Sequence, residues 1–294
     1  MHNDQAAGLR AMHGSQSMSP KGSGASKAIR VIAVASGKGG VGKTNVSVNL
    51  GVALSKLGNR VLLMDADMGL ANVDIMLGLQ TDYNLSHVLS GEKTLQEVIV
   101  EGPAGLRIIP AASGVRKMAQ LSLMENAGIV HAFSELSADL DVLIVDTAAG
   151  IAESVVNFCR AAQEVVVVVT DEPASITDAY ALIKVLSRDY QVTRFRILAN
   201  MSITALQGKQ LYDKLARVAE QFLDVQVDFL GAVPQDNALR EAVQKQIPVT
   251  IHRPHSAAAT AFFDIADKIN AWPIPEKVTG HLQFFVENLF QKEA

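Results

Sequence analysis

Short runs of aliphatic and β-branched residues alternate with longer stretches of helical periodicity from residue 28 onward. Several of the runs are continuously apolar, which is typical of strands that are covered on both faces. Strands are predicted at 30–36, 60–65, 106–111, 141–147, 164–170, 194–200 and 227–234. Helices are predicted at 43–57, 121–138, 152–162, 173–188, 205–222, 236–245 and 256–270. This alternation predicts an α/β fold: a mostly parallel, twisted sheet with helices on both faces and ligands at the carboxyl ends of its strands.

The hydrophobic pattern changes towards both ends of the chain, so we expect three parts. Residues 1–27 are predicted to be a flexible N-terminal segment, 28–275 the α/β domain, and 276–294 a C-terminal amphipathic helix. One face of that helix would carry Leu282, Phe285, Val286, Leu289 and Phe290. Such a face suits reversible membrane attachment. Acidic residues outnumber basic ones along the helix, which argues against a strong anchor, so docking on the protein's own surface is an equal alternative.

The N-terminal segment combines a compact motif, DQAAGLR at 4–10, with the Gly- and Ser-rich stretch GSQSMSPKGSGASK behind it. Asp4 is suited to cap a short helix, in which Gln5, Leu9 and Met12 would share one face. A helix so short, with a glycine inside, is marginal in water, so we expect it to fold on a partner. A ragged terminus without a function is the alternative.

Composition and charge exclude several classes of function. The net charge of −4 gives no general attraction to nucleic acid, and aromatic residues, at 5%, are too few for base-stacking platforms. No apolar run approaches the roughly 18 residues that a membrane span needs, and the N-terminus lacks the apolar region of a secretory signal. The single Cys159 excludes an intrachain disulfide and a multi-cysteine metal site. We expect Cys159 to fill a buried helix position, although one cysteine per subunit could still bridge a dimer.

The first predicted strand ends in SGKGGVGKT, in which residues 37–44 match the phosphate-loop pattern GxxxxGK(S/T) between a strand and a helix. Glycines let backbone N–H groups turn towards phosphate oxygens without Cβ clashes, and the helix start adds a positive dipole end. Lys43 is predicted to contact the β- and γ-phosphates, and Thr44 to ligate Mg²⁺. The predicted nucleotide contacts are Gly37, Lys38, Gly39, Gly40, Val41, Gly42, Lys43, Thr44 and Asn45.

Several charged residues accompany this loop. A generic phosphate loop does not require Lys38, whose side chain could project outward to a partner's phosphates or could simply be solvated. Asp65 and Asp67 follow the second predicted strand and point the same way in extended chain. Asp67 would orient or deprotonate the attacking water and Asp65 would support Mg²⁺ through water, unless both are ordinary turn residues. Asp146 ends another apolar strand in a position to serve the metal, and Gly150 would let the following loop approach the γ-phosphate as a switch.

The motifs SGKGGVGKT, DADMGLANVD and DTAAG together resemble those of the deviant-Walker-A ATPases, the MinD/ParA group, over the predicted α/β domain. This resemblance implies an ATPase that binds ATP or ADP with Mg²⁺ and forms an ATP-dependent homodimer. It implies that Lys38 reaches across the dimer, that Asp67 handles the catalytic water and that Asp146 serves Mg²⁺. Asn200 and Pro234 match positions that hold adenine in that group.

Other segments resemble the branch of this group that regulates flagellar number, namely DQAAGLR, PAASGV, DEPASITDAYALIK and RFRILANM. The resemblance implies a protein that stimulates the signal-recognition-type GTPase FlhF, antagonises the flagellar master transcription activator and handles flagellar switch-ring proteins. It implies that Asp4, Gln5, Leu9 and Arg10 contact a partner, with Gln5 offered to another nucleotide site. It also implies a cytoplasmic protein that associates reversibly with the membrane, at a cell pole.

Three alternatives stay open on the sequence alone. A MinD-type division-site positioner would carry a strongly basic C-terminal helix, and this predicted helix is not basic. A ParA-type partition ATPase would bind DNA through Lys/Arg patches, whereas acidic residues exceed basic ones over 256–294, so no direct DNA binding is expected. A cluster-carrying iron–sulfur scaffold would use a pair of cysteines per chain, and this chain has one.

Overall fold

A computed structural model describes residues 29–67, 72–111, 132, 133, 136 and 139–273. These residues form an eight-stranded sheet with the strands β1 Arg30–Ser36, β2 Val61–Ala66, β3 Val100–Glu101, β4 Arg107–Ile109, β5 Val142–Ala149, β6 Glu164–Val169, β7 Arg194–Ser202 and β8 Gln226–Pro234. The order across the sheet is β3-β4-β2-β5-β1-β6-β7-β8. Neighbouring strands are parallel except β3 and β4, which are antiparallel. The predicted α/β fold with a mostly parallel sheet is confirmed.

Helices cover both faces of the sheet. In chain order they are α1 Lys43–Lys56, α2 Val73–Leu77, α3 Leu85–Leu89, α4 Leu95–Val98, α5 Glu153–Ala161, α6 Pro173–Tyr190, α7 Ala205–Phe222, α8 Asn237–Gln244, α9 Val249–His252 and α10 Ala257–Asn270. Helices α1 and α10 pack on one face, around a core that includes Phe262. Helices α5, α6 and α7 pack on the other face, around Phe195. The adjacent residues Val34 and Ala35 of β1 belong to opposite cores, which is why this strand reads as continuously apolar.

The long predicted elements are observed with small shifts at their ends, and the shortest elements are not predicted. Strand β3 and helices α2, α3, α4 and α9 have at most five residues each, too few to show a hydrophobic period. The start of such a short helix can instead be marked by a helix-capping pattern in the sequence. At the start of α4, Oγ1 of Thr94 accepts from the Glu97 N–H and the Glu97 carboxylate accepts from the Thr94 N–H. The helix predicted at 121–138 lies almost entirely outside the described residues.

Cys159 lies in α5 with 0% of its surface exposed, within the core that this helix forms with α6 and α7. Burial raises the pKa of its thiol to about 12, because the surrounding apolar groups cannot stabilise a thiolate. The expectation of a buried, apolar filler on a helix is confirmed. A site bridged by one cysteine per subunit would need this sulfur at the surface, whereas the residue is 0% exposed.

Trp272 lies near the end of the described residues, at the amino edge of the sheet, where the parallel strands begin. Its carbonyl oxygen accepts a hydrogen bond of 2.7 Å from Nη2 of Arg30. The guanidinium of Arg196 lies 4.4 Å from the centre of its ring and pairs with Glu164 and Asp228 at 3.0 and 2.8 Å. The chain is therefore attached to the domain as far as Trp272, and the three-part division stays a prediction.

Both predicted terminal segments lie outside the described residues, and the calls that fall there stay predictions. They concern the partner-facing residues Asp4, Gln5, Leu9 and Arg10 and the membrane-facing residues Leu282, Phe285, Val286, Leu289 and Phe290. Within 29–67, 72–111, 132, 133, 136 and 139–273, no helix is both long and apolar enough to cross a bilayer.

Candidate functional site

A cavity of about 790 Å³ opens at the carboxyl edge of the sheet, beside the loop that joins β1 to α1. Its lining residues come from this loop, from the segment after β2, from the ends of β5 and β7, and from the end of α8. They are Ser36, Lys38, Gly39, Gly40, Val41, Gly42, Lys43, Thr44, Asn45, Asp67, Asn72, Ile75, Met76, Ala149, Met201, Val243, Gln244 and Gln246. The position agrees with the rule that ligands bind at the carboxyl ends of parallel strands.

Three glycines of the loop occupy places where other residues do not fit. Gly40 and Gly42 have φ angles of 81° and 84°, which side chains other than glycine rarely adopt. A Cβ on Gly37 would overlap the backbone of Asp178 in α6, and one on Gly42 would overlap the amide of Asn200. The glycine-rich sequence is therefore required both for the turn of the loop and for its close packing against α6 and β7.

Lys43 of the loop and Asp146 of β5 form a buried ion pair. Nζ of Lys43 lies 3.2 Å from Oδ1 of Asp146, and the two side chains are 8% and 1% exposed. Oγ of Ser47, one turn further along α1, donates to the same carboxylate oxygen at 2.8 Å. A buried carboxylate needs such partners, because the charge is poorly solvated away from water. The phosphate-loop lysine and the carboxylate at the end of β5 are thus in direct contact.

The second oxygen of Asp146 provides a test of whether the site suits Mg²⁺. Oδ2 is buried and has no hydrogen-bond partner among the described residues, so it is an anionic acceptor whose hydrogen-bonding capacity is unused. Thr44 lines the cavity beside the loop. Mg²⁺ prefers oxygen ligands and usually takes one or two protein side chains together with phosphates and water. The residues fit this ion: Thr44 and Asp146 would hold it, and it would neutralise phosphate charge when bound.

Asp65 lies beside Asp146 in the register of β2 and β5 and is only 2% exposed. Burial raises the pKa of its carboxyl group to about 6, against the opposing effect of hydrogen bonds from the N–H groups of Asp67, Asn72 and Val73. Asp67 follows β2 and lines the cavity. The structure therefore brings Asp65, Asp67 and Asp146 to one edge of the sheet, while their individual roles stay predictions.

Asn200 supports the loop from the end of β7. Its Nδ2 donates to the carbonyl of Val41 at 2.8 Å, and its buried Oδ1 has no partner in the part of the chain that the structure describes. A carbonyl oxygen in this state suits the amino group of adenine. Pro234 ends β8 in register with Ser202. Asn200 and Pro234, although described, do not line the cavity itself, whereas Met201 does. Their assignment to adenine stays a prediction.

Lys38 lies at the opening of the cavity, and its side chain is 38% exposed. Its ammonium group is not simply solvated, because Nζ lies 2.6 Å from Oε2 of Glu172, just before α6. A half-exposed ion pair of this kind is worth little by itself and can exchange partners. The cation predicted to serve a partner's phosphates is thus held at the edge of the site by a local carboxylate.

Sequence reasoning misses several residues that the fold brings here. The sequence gives only a weak indication of Ser47, which follows Lys43 by four residues on a helix and so lies on the same face. It gives no indication of Glu172, because 134 positions separate this residue from Lys38. The sequence gives no indication of the role of Gln246 either. Its Nε2 donates to the carbonyl of Ile75 at 2.6 Å and so joins the α8–α9 turn to α2 across the cavity wall.

Comparison with known proteins gives consistent matches. The family model ParA, described as NUBPL iron-transfer P-loop NTPase, matches residues 27–270. The chain is 56% identical over 266 residues to Antiactivator FleN of Pseudomonas aeruginosa, covering 90% of this chain and 95% of that protein. It is 35% identical over 261 residues to Flagellum site-determining protein YlxH of Helicobacter pylori, covering 88% and 87%.

The fold also matches solved structures. That of the septum site-determining protein MinD of Pyrococcus horikoshii, complexed with Mg-ADP, superposes with a TM-score of 0.65 and 24% identity, covering 83% of this chain and 96% of that chain. Within the part of the chain that the structure describes, no group of three or more His, Cys, Asp and Glu residues could hold a metal ion.

Proposed function

Because this chain belongs to the MinD/ParA family of P-loop ATPases, we propose that it is a dimerising switch that regulates flagellar number and assembly. It is an ATPase that uses ATP and Mg²⁺. The observation that carries the flagellar assignment is the 56% identity to Antiactivator FleN over 90% of the chain. The Helicobacter pylori relative, Flagellum site-determining protein YlxH, is named for the same organelle.

In this proposal Lys43 exchanges its partner when ATP binds. Without nucleotide, the ammonium group of Lys43 neutralises the buried carboxylate of Asp146. The phosphates of bound ATP would offer this ammonium group a larger negative charge beside the phosphate loop. Asp146 retains the hydroxyl of Ser47 and can direct its second oxygen to the metal. Asp67 orients the attacking water from the cavity wall. Mg²⁺, when bound, supplies charge neutralisation of the phosphates.

Lys38 is the residue through which a second copy completes the site. Its side chain lies at the cavity opening, and its exposed ion pair with Glu172 leaves it free to exchange partners. A cation supplied in trans stabilises the negative charge that develops during phosphoryl transfer. ATP-dependent dimerisation therefore assembles the active site, and hydrolysis dissolves it.

The dimer is tested by chromatography with light scattering in ATP and Mg²⁺. Asp67→Ala is expected to slow hydrolysis and to accumulate the dimer, whereas ADP gives the monomer. Adding Lys38→Ala in the same chain is expected to return it to a monomer while ATP binding is retained. If Asp67→Ala stays monomeric with saturating ATP, the proposed dimer is wrong.

The proposed action on a partner belongs to the N-terminal motif. Gln5 would act on the nucleotide site of an FlhF-type GTPase, while Leu9 and Met12 would hold the short helix in place. Arg10 would also contact the partner, and Asp4 would cap the helix. The test measures FlhF GTP turnover with the full chain, with residues 1–27 deleted and with Gln5→Ala. The full chain is expected to stimulate turnover and both variants to lose the effect. Equal stimulation by all three would contradict this role.

The antiactivator role and the contacts with flagellar switch-ring proteins are further parts of the proposal. Binding of the flagellar master transcription activator is expected with ATP and not with ADP, which biolayer interferometry on the Asp67→Ala chain would measure. The Lys38→Ala chain is the matched control, because it retains ATP and loses the dimer. Equal binding in ATP and ADP would show that binding of the transcription activator does not depend on the bound nucleotide, and it would contradict this part of the proposal.

Reversible membrane association through 276–294, near a cell pole, completes the proposal. Sedimentation with vesicles containing anionic lipid is expected to retain the chain in ATP more than in ADP, since a dimer presents two helices. Phe285→Glu is expected to abolish retention. Glu287→Gln serves as a control on the same predicted helix. Retention that is unaffected by Phe285→Glu would favour docking of this segment on the protein itself.

A further inference from the structure

The carboxylate of Asp65 contacts both ends of the segment that follows β2. Its Oδ1 accepts a hydrogen bond of 3.0 Å from the N–H of Asp67. Its Oδ2 accepts bonds of 3.1 and 3.2 Å from the N–H groups of Asn72 and Val73, where α2 begins. One side chain thus holds the backbone of the residue that follows β2 and of the two residues where α2 begins.

The two carboxylate oxygens of Asp65 differ from those of the neighbouring Asp146 in their hydrogen bonding. Asp146 retains a buried oxygen with no partner among the described residues, whereas each oxygen of Asp65 already accepts from the backbone. Breaking the contacts of Asp65 would leave without acceptors one buried N–H group, that of Val73, and two partly buried ones, which is costly. Asp146 is therefore the better metal ligand, and Asp65 the better support for the backbone.

The residues that Asp65 contacts, together with α2, form part of the site. Asp67, Asn72, Ile75 and Met76 all line the cavity. Gln246 donates to the carbonyl of Ile75 from the opposite side. The wall is thus held from the sheet by one side chain and from the α8–α9 turn by another.

We infer that Asp65 is a positioning residue, which sets Asp67 and the start of α2 against the cavity instead of supporting Mg²⁺. This inference rests on the proposed function to the extent that Asp67 acts on the catalytic water. It predicts that loss of the Asp65 contacts slows the chemical step by misplacing Asp67, while ATP and Mg²⁺ still bind through the phosphate loop and Asp146.

The first test follows amide hydrogen exchange at Asp67, Asn72 and Val73 in the unaltered chain, with and without Mg²⁺ and ADP. A positioning role requires that these amides stay protected, or become more protected, when Mg²⁺ and ADP bind. Loss of their protection on binding would show that the carboxylate turns to the metal, and it would overturn the inference. This measurement needs no variant and no turnover.

The second test is Asp65→Asn, which keeps the volume but turns an NH₂ group towards one set of N–H donors. We expect faster exchange at the released amides without nucleotide, a kcat reduced by about tenfold or more, and little change in the KM for ATP or in half-saturation by Mg²⁺. A large rise in the Mg²⁺ requirement with unchanged exchange would overturn the inference, as would unchanged kcat with faster exchange. If Asp67→Ala itself left kcat unchanged, the role of Asp67 would fail, but the amide results would stand.

Discussion

Nζ of Lys38 lies 2.6 Å from Oε2 of Glu172 at the opening of the nucleotide cavity, so the cation proposed to act in trans has a competing carboxylate within its own chain. Glu172→Gln removes that competitor without changing the size of the side chain. We expect the ATP-bound dimer to form at about two- to fivefold lower protein concentration, the range that the loss of an exposed ion pair allows. Light scattering over a dilution series of the Asp67→Ala chain in ATP would measure it.

The control for this prediction is Glu220→Gln on α7, an exposed glutamate that lies away from the cavity. It makes the same change in net charge and should leave dimerisation unchanged. Weaker dimerisation of the Glu172→Gln chain would mean that Glu172 contributes to the dimer contact instead of competing with it.

The buried pair of Lys43 and Asp146 predicts that, without nucleotide, removing the lysine alone lowers stability more than removing both charges. Lys43→Met leaves a carboxylate that is 1% exposed without its cation, which is expected to lower the free energy of unfolding by about 3–5 kcal/mol. Adding Asp146→Asn removes the orphaned charge and should recover much of the loss. Urea unfolding of the three chains measures both steps. A double variant less stable than Lys43→Met would show that Asp146 is stabilised by groups other than Lys43.

The extent to which the site is predictable depends on the sequence separation of its contacts. The loop at 37–44 is found from sequence because its glycines, strand and helix are adjacent in the chain. Asp65 and Asp146 are found because each ends an apolar strand, although only the sheet order shows that β2 and β5 are neighbours. Glu172 and Gln246 are not found, because their contacts to Lys38 and Ile75 span 134 and 171 positions and follow no period.

The buried thiol of Cys159 predicts resistance to alkylation. The folded chain should not react with iodoacetamide at pH 8, whereas the chain in urea should react completely, as mass spectrometry would show. Burial raises the pKa of the folded thiol from an ordinary value near 9 to about 12, so unfolding releases a proton between these values. This contribution to stability is complete below pH 9 and is lost as the pH rises towards 12. Cys159→Ala should therefore lose less stability across that window than the unaltered chain. Rapid alkylation of the folded chain would contradict the burial.

Two glycines of the phosphate loop offer a matched pair of substitutions. A Cβ on Gly37 would overlap the backbone of Asp178, which cannot move without displacing α6, whereas a Cβ on Gly39 meets only the Cβ of Ala149 at 4.0 Å. We expect Gly37→Ala to lower the free energy of unfolding by about 1–3 kcal/mol or more and Gly39→Ala to stay within about 0.5 kcal/mol. Because both changes add one methyl group to the same loop, their difference isolates the contact with α6. Thermal and urea unfolding without nucleotide measure the stability of the two variants. An equal loss of stability in both would show that backbone entropy, and not packing against α6, requires glycine at this end of the loop.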